Sequence, residues 1–292
     1  MTQHTYTAAV LGSPIAHSKS PAMHQAVYRY LGVPIVYDRI EVAEADAAEF
    51  FASLPQRFGS RRALAGFSVT MPLKAVLVSH MDHVSQRVQR LGVLNTIVFD
   101  EAGVAHGYNT DVDGIRHALA KAGFVAKVDG SMGILGAGGT ATAAVAAAAE
   151  LGLTAVVFYV RNPDRARGAM EVATAYGLES QVVLLDAFAQ RAVHHDAVVS
   201  TLPAHAADDL ALQLPGSNLP PLLDVIYDPW PTVLASAWRA SGAHVSSGLD
   251  MLLYQGVEQA KLFTKKLVAD PQSVDWDTAT QHMAAALKLD QS

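Results

Sequence analysis

From Gly130 to Ala149 the chain runs for 20 residues without an Asp, Glu, Lys or Arg. A run of that length is nominally able to span a bilayer. Its content argues otherwise, because glycine and alanine dominate and little Leu, Ile or Phe is present to drive insertion. Within it lies Gly136-Ala137-Gly138-Gly139-Thr140-Ala141, which fits G-x-G-x-x-(G/A). A short apolar stretch at 132–135 precedes this loop, an Ala-rich helical stretch follows, and a second apolar stretch comes at 155–160. In that context each small residue has a use. The first Gly allows a tight turn, and the second lets backbone approach a pyrophosphate. The third small residue permits close helix–strand packing, while the helix N-terminus offers N–H groups and partial positive charge. A ligand-free Gly-rich turn is the plainer alternative.

The rest of the chain alternates in the same way. Strands are expected at 7–12, 35–42, 65–69, 95–99, 132–135, 155–160, 182–184, 197–200 and 222–226, where β-branched and aromatic residues cluster between Gly, Pro or Asp. Helices are expected near 21–31, 43–53, 111–122, 140–151, 164–176 and 231–241, then at 248–268 and 275–288. A hairpin is expected with Glu101-Ala102-Gly103 at its turn. Alternation of this kind predicts an α/β protein with parallel sheets covered by helices. The length of 292 residues suits one large domain or two ordinary ones.

Composition excludes several classes. With 51% apolar residues the chain is not disordered. It has no cysteine, which removes disulfide scaffolds, thiolate metal sites and a cysteine nucleophile. A net charge of -6 gives no handle on nucleic acid. The 12 histidines are scattered, so no metal site is expected. No basic stretch followed by an apolar core opens the sequence, so a cytoplasmic location without membrane partners is expected.

Cofactor choice turns on the end of the 155–160 strand. An NAD site usually carries Asp or Glu there for the ribose 2′-OH. This chain has Arg161, then Asn162, Pro163, Asp164 and Arg165. Two guanidiniums suit the 2′-phosphate of NADP by charge and fork geometry. Solvated surface arginines are the plainer reading, and Asp164 is the residue that would favour NAD.

Further polar groups sit after other strands. Ser18 and Ser20 follow the first, and two hydroxyls at a helix start make a carboxylate site. Ser20-Pro21 also reads as N-cap and N1 of that helix. Thr70 and Lys74 follow the strand at 65–69, where open α/β sheets bind ligands, although an exposed helix lysine would look the same. Asn95-Thr96 and Asn109-Thr110-Asp111 flank the hairpin, and Asp111 equally suits a helix cap. Gln255 lies among apolar residues of the 248–268 helix, where it either points to a ligand or faces solvent.

In order, these segments resemble the shikimate dehydrogenase family over nearly the whole chain. Ser18-x-Ser20, Val69-Thr70-x-Pro72-x-Lys74, Gly92 to Thr96 and Asn109-Thr110-Asp111-x-x-Gly114 match its motifs, as does the Gly136 to Gly139 loop. So do Asp224-x-x-Tyr227-x-Pro229-x-x-Thr232 and Gly248-x-x-Met251-Leu252-x-x-Gln255. There are departures. Val160 and Asn162 stand where NADP users often have Asn and Thr, and Thr142 stands where Arg is common.

The resemblance implies a substrate-binding and catalytic domain at 1–112, a Rossmann domain at 113–246, and C-terminal helices at 247–292 returning to the substrate domain. It implies reversible NADPH-dependent reduction of 3-dehydroshikimate to shikimate, within chorismate and aromatic amino acid biosynthesis, by a monomer or homodimer. The catalytic pair maps to Lys74 and Asp111. An ammonium can stabilise an oxyanion, and a carboxylate favours and orients that charge. Substrate binding maps to Ser18, Ser20, Thr70, Lys74, Asn95, Asp111, Tyr227 and Gln255. Cofactor binding maps to Gly136, Ala137, Gly138, Gly139, Thr140, Arg161, Asn162, Arg165, Thr201, Gly248 and Met251. The alternatives are an NAD-dependent quinate/shikimate dehydrogenase, against which Ser20 and Arg161 argue, and a catalytically silent nucleotide-binding paralogue, against which Lys74 and Asp111 argue.

Overall fold

A computed structural model describes residues 5–125 and 129–289. The chain divides into two compact units. One holds the described residues through Thr110 and from Gln255 onward, and the other holds Asp111–Tyr254. The helix Gly248–Thr264 therefore contributes its first turns to the second unit and the rest to the first.

The first unit is built on six strands: β1 (Tyr6–Gly12), β2 (Ile35–Glu41), β3 (Leu64–Val69), β4 (His83–Val84), β5 (Thr96–Phe99) and β6 (Ala105–Tyr108). Their order is β2-β1-β3-β5-β6-β4. β1 runs parallel to β2 and β3, whereas β5 is antiparallel to both β3 and β6. The sheet is thus mixed rather than parallel, because the expected hairpin supplies β5 and β6. Asp100 closes that hairpin by accepting the N–H groups of Ala102 and Val104, both at 2.9 Å. β3 is buried along its whole length and packs Phe67 among Phe50, Phe58 and Phe99. Gly66 lies so close to the Phe263 ring and the Ile97 carbonyl that no side chain fits there. The C-terminal part of the chain therefore packs on this unit, with Trp276–Leu287 against Ser20–Leu31 as well.

The second unit has β7 (Ser131–Leu135), β8 (Ala155–Val160), β9 (Glu179–Leu184), β10 (Ala197–Ser200), β11 (Leu222–Asp224) and β12 (Val245–Ser247). All pair in parallel in the order β12-β11-β10-β7-β8-β9. This is the doubly wound arrangement, whose strand order reverses between β7 and β10. The helix Gly139–Glu150 is buried from Ala141 through Ala148 without interruption. A helix covered on all faces must be apolar all round. That, together with β7 and its loop, accounts for the uncharged run. Among the described residues no helix is long and apolar enough to cross a membrane.

Several expected elements end differently: the helix expected at 248–268 stops at Thr264, those expected at 43–53 and 164–176 each begin as a 3-10 turn, and two more changes have a local cause. Ser20 is the first helical residue rather than the N-cap, and Lys19 holds the cap position, where its side chain does not cap the helix. Ser18 Oγ takes the Ser20 N–H at 3.3 Å, so the turn is closed one step earlier. The strand expected at 222–226 stops at Asp224, whose own Oδ1 accepts the Ile226 N–H at 3.3 Å and bends the chain.

Candidate active site

In the second unit the Gly loop lies at the carboxyl end of β7, at the reversal of strand order. Gly136 has a φ of 103°, and a Cβ there would fall 2.5 Å from Thr201 Oγ1. Gly138 is the opposite case, since a Cβ would meet nothing within 4 Å. No side chain caps the helix that starts at Gly139. Its first N–H groups are therefore left for a ligand or water.

Beside this loop is a cavity of about 700 Å³ lined by Gly136, Ala137, Gly138, Val160, Arg161, Asn162, Arg165 and Leu202. Six of these are expected cofactor residues, while Val160 and Leu202 are apolar walls that motif reading had not assigned. Among the described residues no carboxylate lines it. Asn162 Oδ1 accepts the Asp164 N–H at 3.0 Å and starts the short turn Pro163–Ala166. Arg161 thus directly follows β8, with Arg165 one turn on. Thr201 follows β10, and its hydroxyl donates to the Leu135 carbonyl at 2.8 Å, which ties it to the loop's entry. These groups suit a dinucleotide with an extra phosphate: an open backbone cradle for the pyrophosphate and two cations at the strand end.

Other residues of this unit have distinct local causes. Asp111 begins the helix Asp111–Lys121 and is buried. Asp224 is buried, which raises its carboxyl above the usual range, and its Oδ2 accepts the Thr232 hydroxyl at 2.7 Å. Thr232 Oγ1 in turn caps Val233–Ala240. This pair pins both ends of the segment that carries Tyr227, whose phenol is pushed up by burial and by Asp228. Gly248 sits directly against the Val225 carbonyl, so its lack of a side chain serves packing under the Tyr227 segment. Met251 is buried one turn on. Ser247 and Asp250 cap each other's backbone at the head of this helix, and Lys121 donates to Asp250 Oδ1 at 2.9 Å.

In the first unit Ser18 and Ser20 stand after β1. Arg39 on β2 holds this turn by donating twice to the Ser18 carbonyl, at 2.6 and 3.1 Å. Thr70 follows β3 and donates its N–H to the Leu11 carbonyl at 2.9 Å. Lys74 lies half-buried in the short helix Leu73–Val76, and its carbonyl accepts the Leu94 N–H. Asn95 is 2% exposed. Its Oδ1 accepts the Thr110 N–H at 2.7 Å, and its Nδ2 donates to Thr110 Oγ1 at 3.0 Å and Gln255 Oε1 at 3.2 Å. Gln255 therefore faces inward toward Asn95 rather than solvent. Gln259, one turn further along the same helix face, joins this cluster through the Asn95 carbonyl. Motif reading passed it over, although its i+4 spacing from Gln255 was a visible signal.

The chain matches the family model described as the shikimate dehydrogenase substrate binding domain over residues 10–97. A relative named shikimate dehydrogenase (NADP(+)), from Moorella thermoacetica, is 35% identical over 267 residues, covering 88% of this chain and 87% of the relative. Among solved structures, a shikimate 5-dehydrogenase from Mycobacterium fortuitum has a TM-score of 0.82 and 37% identity, covering 98% of this chain and 99% of that one. A quinate dehydrogenase from Corynebacterium glutamicum, solved with NAD, has a TM-score of 0.79 at 26% identity, covering 96% and 99%. On these matches the chain belongs to the shikimate dehydrogenase family.

Proposed function

We propose that this protein is an NADP-dependent shikimate dehydrogenase that reversibly reduces 3-dehydroshikimate to shikimate. The observation that carries the cofactor choice is the cavity beside the Gly loop, lined by Arg161 and Arg165 and, among the described residues, by no carboxylate. Gly136 to Thr140 would hold the pyrophosphate through backbone N–H groups, and Arg161, Asn162 and Arg165 the 2′-phosphate. Thr201, Gly248 and Met251 complete the cofactor site. Bound NADPH supplies the hydride that reduces the ketone carbon.

The remaining chemistry belongs to side chains. Lys74 supplies positive charge to the oxygen that becomes negative as the carbonyl is reduced, and the proton that turns it into a hydroxyl. Asp111, a buried carboxylate, accepts a hydrogen bond from a substrate hydroxyl. Ser18 and Ser20 donate to the substrate carboxylate, and Thr70, Asn95 and Gln255 meet ring hydroxyls. Tyr227 stays a neutral phenol, as burial favours, and lines the site as a donor. The enzyme works in the cytoplasm as a monomer or homodimer on a small-molecule substrate.

One assay tests this reading. Shikimate and quinate are each supplied with NADP or NAD, and reduced-cofactor absorbance is followed. Turnover is expected with shikimate and NADP. Turnover confined to quinate with NAD would make the protein a quinate dehydrogenase, and no turnover with any pair would leave a silent nucleotide binder.

A further inference from the structure

The Gln259 carboxamide is 1% exposed and its orientation is determined by a group that can only accept. Nε2 lies 3.1 Å from the Asn95 carbonyl and 3.0 Å from Thr96 Oγ1. Oε1 consequently faces Ser68 Oγ at 2.6 Å and His24 Nε2 at 3.2 Å. Ser68 spends its proton on Gln259, so it accepts from the Tyr37 hydroxyl at 2.6 Å. The Ser20 hydroxyl acts on the Tyr37 phenol and partly offsets the effect of its burial. His24 donates from Nε2 and accepts from Tyr28 at Nδ1, at 3.0 Å, while its ring stacks on Tyr37 with centroids 4.3 Å apart.

The same polarity runs the other way. Thr96 Oγ1 accepts from Gln259 and donates to Asn95 Oδ1 at 2.7 Å. The Thr110 N–H, a fixed donor, points at that oxygen too. Asn95 Nδ2 is thereby turned to Gln255 Oε1. Every bond between Tyr37 and Gln255 thus has one donor direction, and Gln259 is its midpoint.

We propose that Gln259 is a positioning residue for substrate recognition, a role that rests on reading Ser20, Asn95 and Gln255 as substrate-binding residues. Through Thr96 and Asn95 it holds Gln255 with its oxygen inward, so that Gln255 meets a substrate hydroxyl as a donor. Through Ser68 it orients the Tyr37 hydroxyl, the group on which Ser20 acts at the carboxylate end. A buried amide that served the core alone would stabilise the fold without linking these two subsites.

Steady-state kinetics and melting temperatures of Gln259→Met, Tyr37→Phe, Gln255→Ala and the double variant Gln259→Met/Gln255→Ala test this. Gln259→Met and Tyr37→Phe are each expected to raise KM for shikimate about five- to tenfold, the scale of one hydrogen bond, with KM for NADP within about twofold. In the Gln255→Ala background Gln259→Met is expected to add much less, because coupled residues are not additive. Full additivity, or an unchanged KM for shikimate in both single variants, would overturn the role. Should Gln259→Met not fold, Tyr37→Phe deletes one hydroxyl only and gives the same KM comparison. Wild-type turnover of shikimate alongside unaffected variants would sink this role alone. A wild type inert toward shikimate would remove the functional reading beneath it.

Discussion

Thr201 Oγ1 occupies the space into which a Cβ on Gly136 would project, 2.5 Å away, while it donates to the Leu135 carbonyl at 2.8 Å. The threonine is tied to the strand that leads into the loop and has little room to retreat. Gly136 also has a φ of 103°, where an L side chain is strained. Gly136→Ala is expected to cost about 1–3 kcal/mol and to weaken NADPH binding at least about tenfold. Gly136→Ala/Thr201→Ala should recover part of the lost melting temperature. Calorimetry and NADPH titration check both, and wild-type values for Gly136→Ala would dismiss the constraint.

Arg161 and Arg165 are exposed in the protein alone, and both line the cavity. Exposed cations contribute little until a phosphate meets them. Arg161→Ala is therefore expected to leave stability nearly unchanged. It should weaken NADPH by about 10- to 100-fold, the scale of a charge-assisted bond, and NADH far less. Titrating both cofactors decides it. Equal losses would show that Arg161 does not read the 2′-phosphate.

Lys74 contributes its backbone carbonyl to the Leu94 N–H, a bond that alanine preserves. Lys74→Ala should therefore fold and bind NADPH almost normally while kcat falls by about 10²-fold or more, the scale of a general acid. Near-normal turnover would remove Lys74 from the chemistry.

The parts legible in the sequence were those with a short-range signature. β8 and β10 span the expected residues, and the helix Gly139–Glu150 lies within one residue of expectation, because β-branched runs and a Gly-rich turn are local signals. β4 and β12 have two and three residues, too few to show a period, and were not expected. Gln259 was passed over because its partner Ser68 is 191 positions away, and only the folded chain brings them to 2.6 Å. Leu202 as a cavity wall was invisible for the same reason, since no local pattern marks an apolar residue as facing a ligand. Ser20 was misplaced by one position because Ser18, also a hydroxyl, closes the turn first.

Two histidines give stability a defined pH dependence. Burial holds His24 down to about 3, and His195, bonded to Tyr159 and Ser131, down to about 4. Both stay neutral in the fold but take up a proton in the unfolded chain below its ordinary value of about 6.5. Between those limits the unfolded state binds more protons, so stability rises with pH. It is fully present above about 6.5 and is lost as pH falls, by about 1.4 kcal/mol per pH unit for each such histidine. Melting temperature is expected to drop steeply from pH 6 to pH 4. His24→Gln, which keeps a polar side chain without a titrating ring, should be less stable at pH 7 yet show a shallower acid limb. An acid limb as steep as that of the wild type would show that His24 is protonated in the fold.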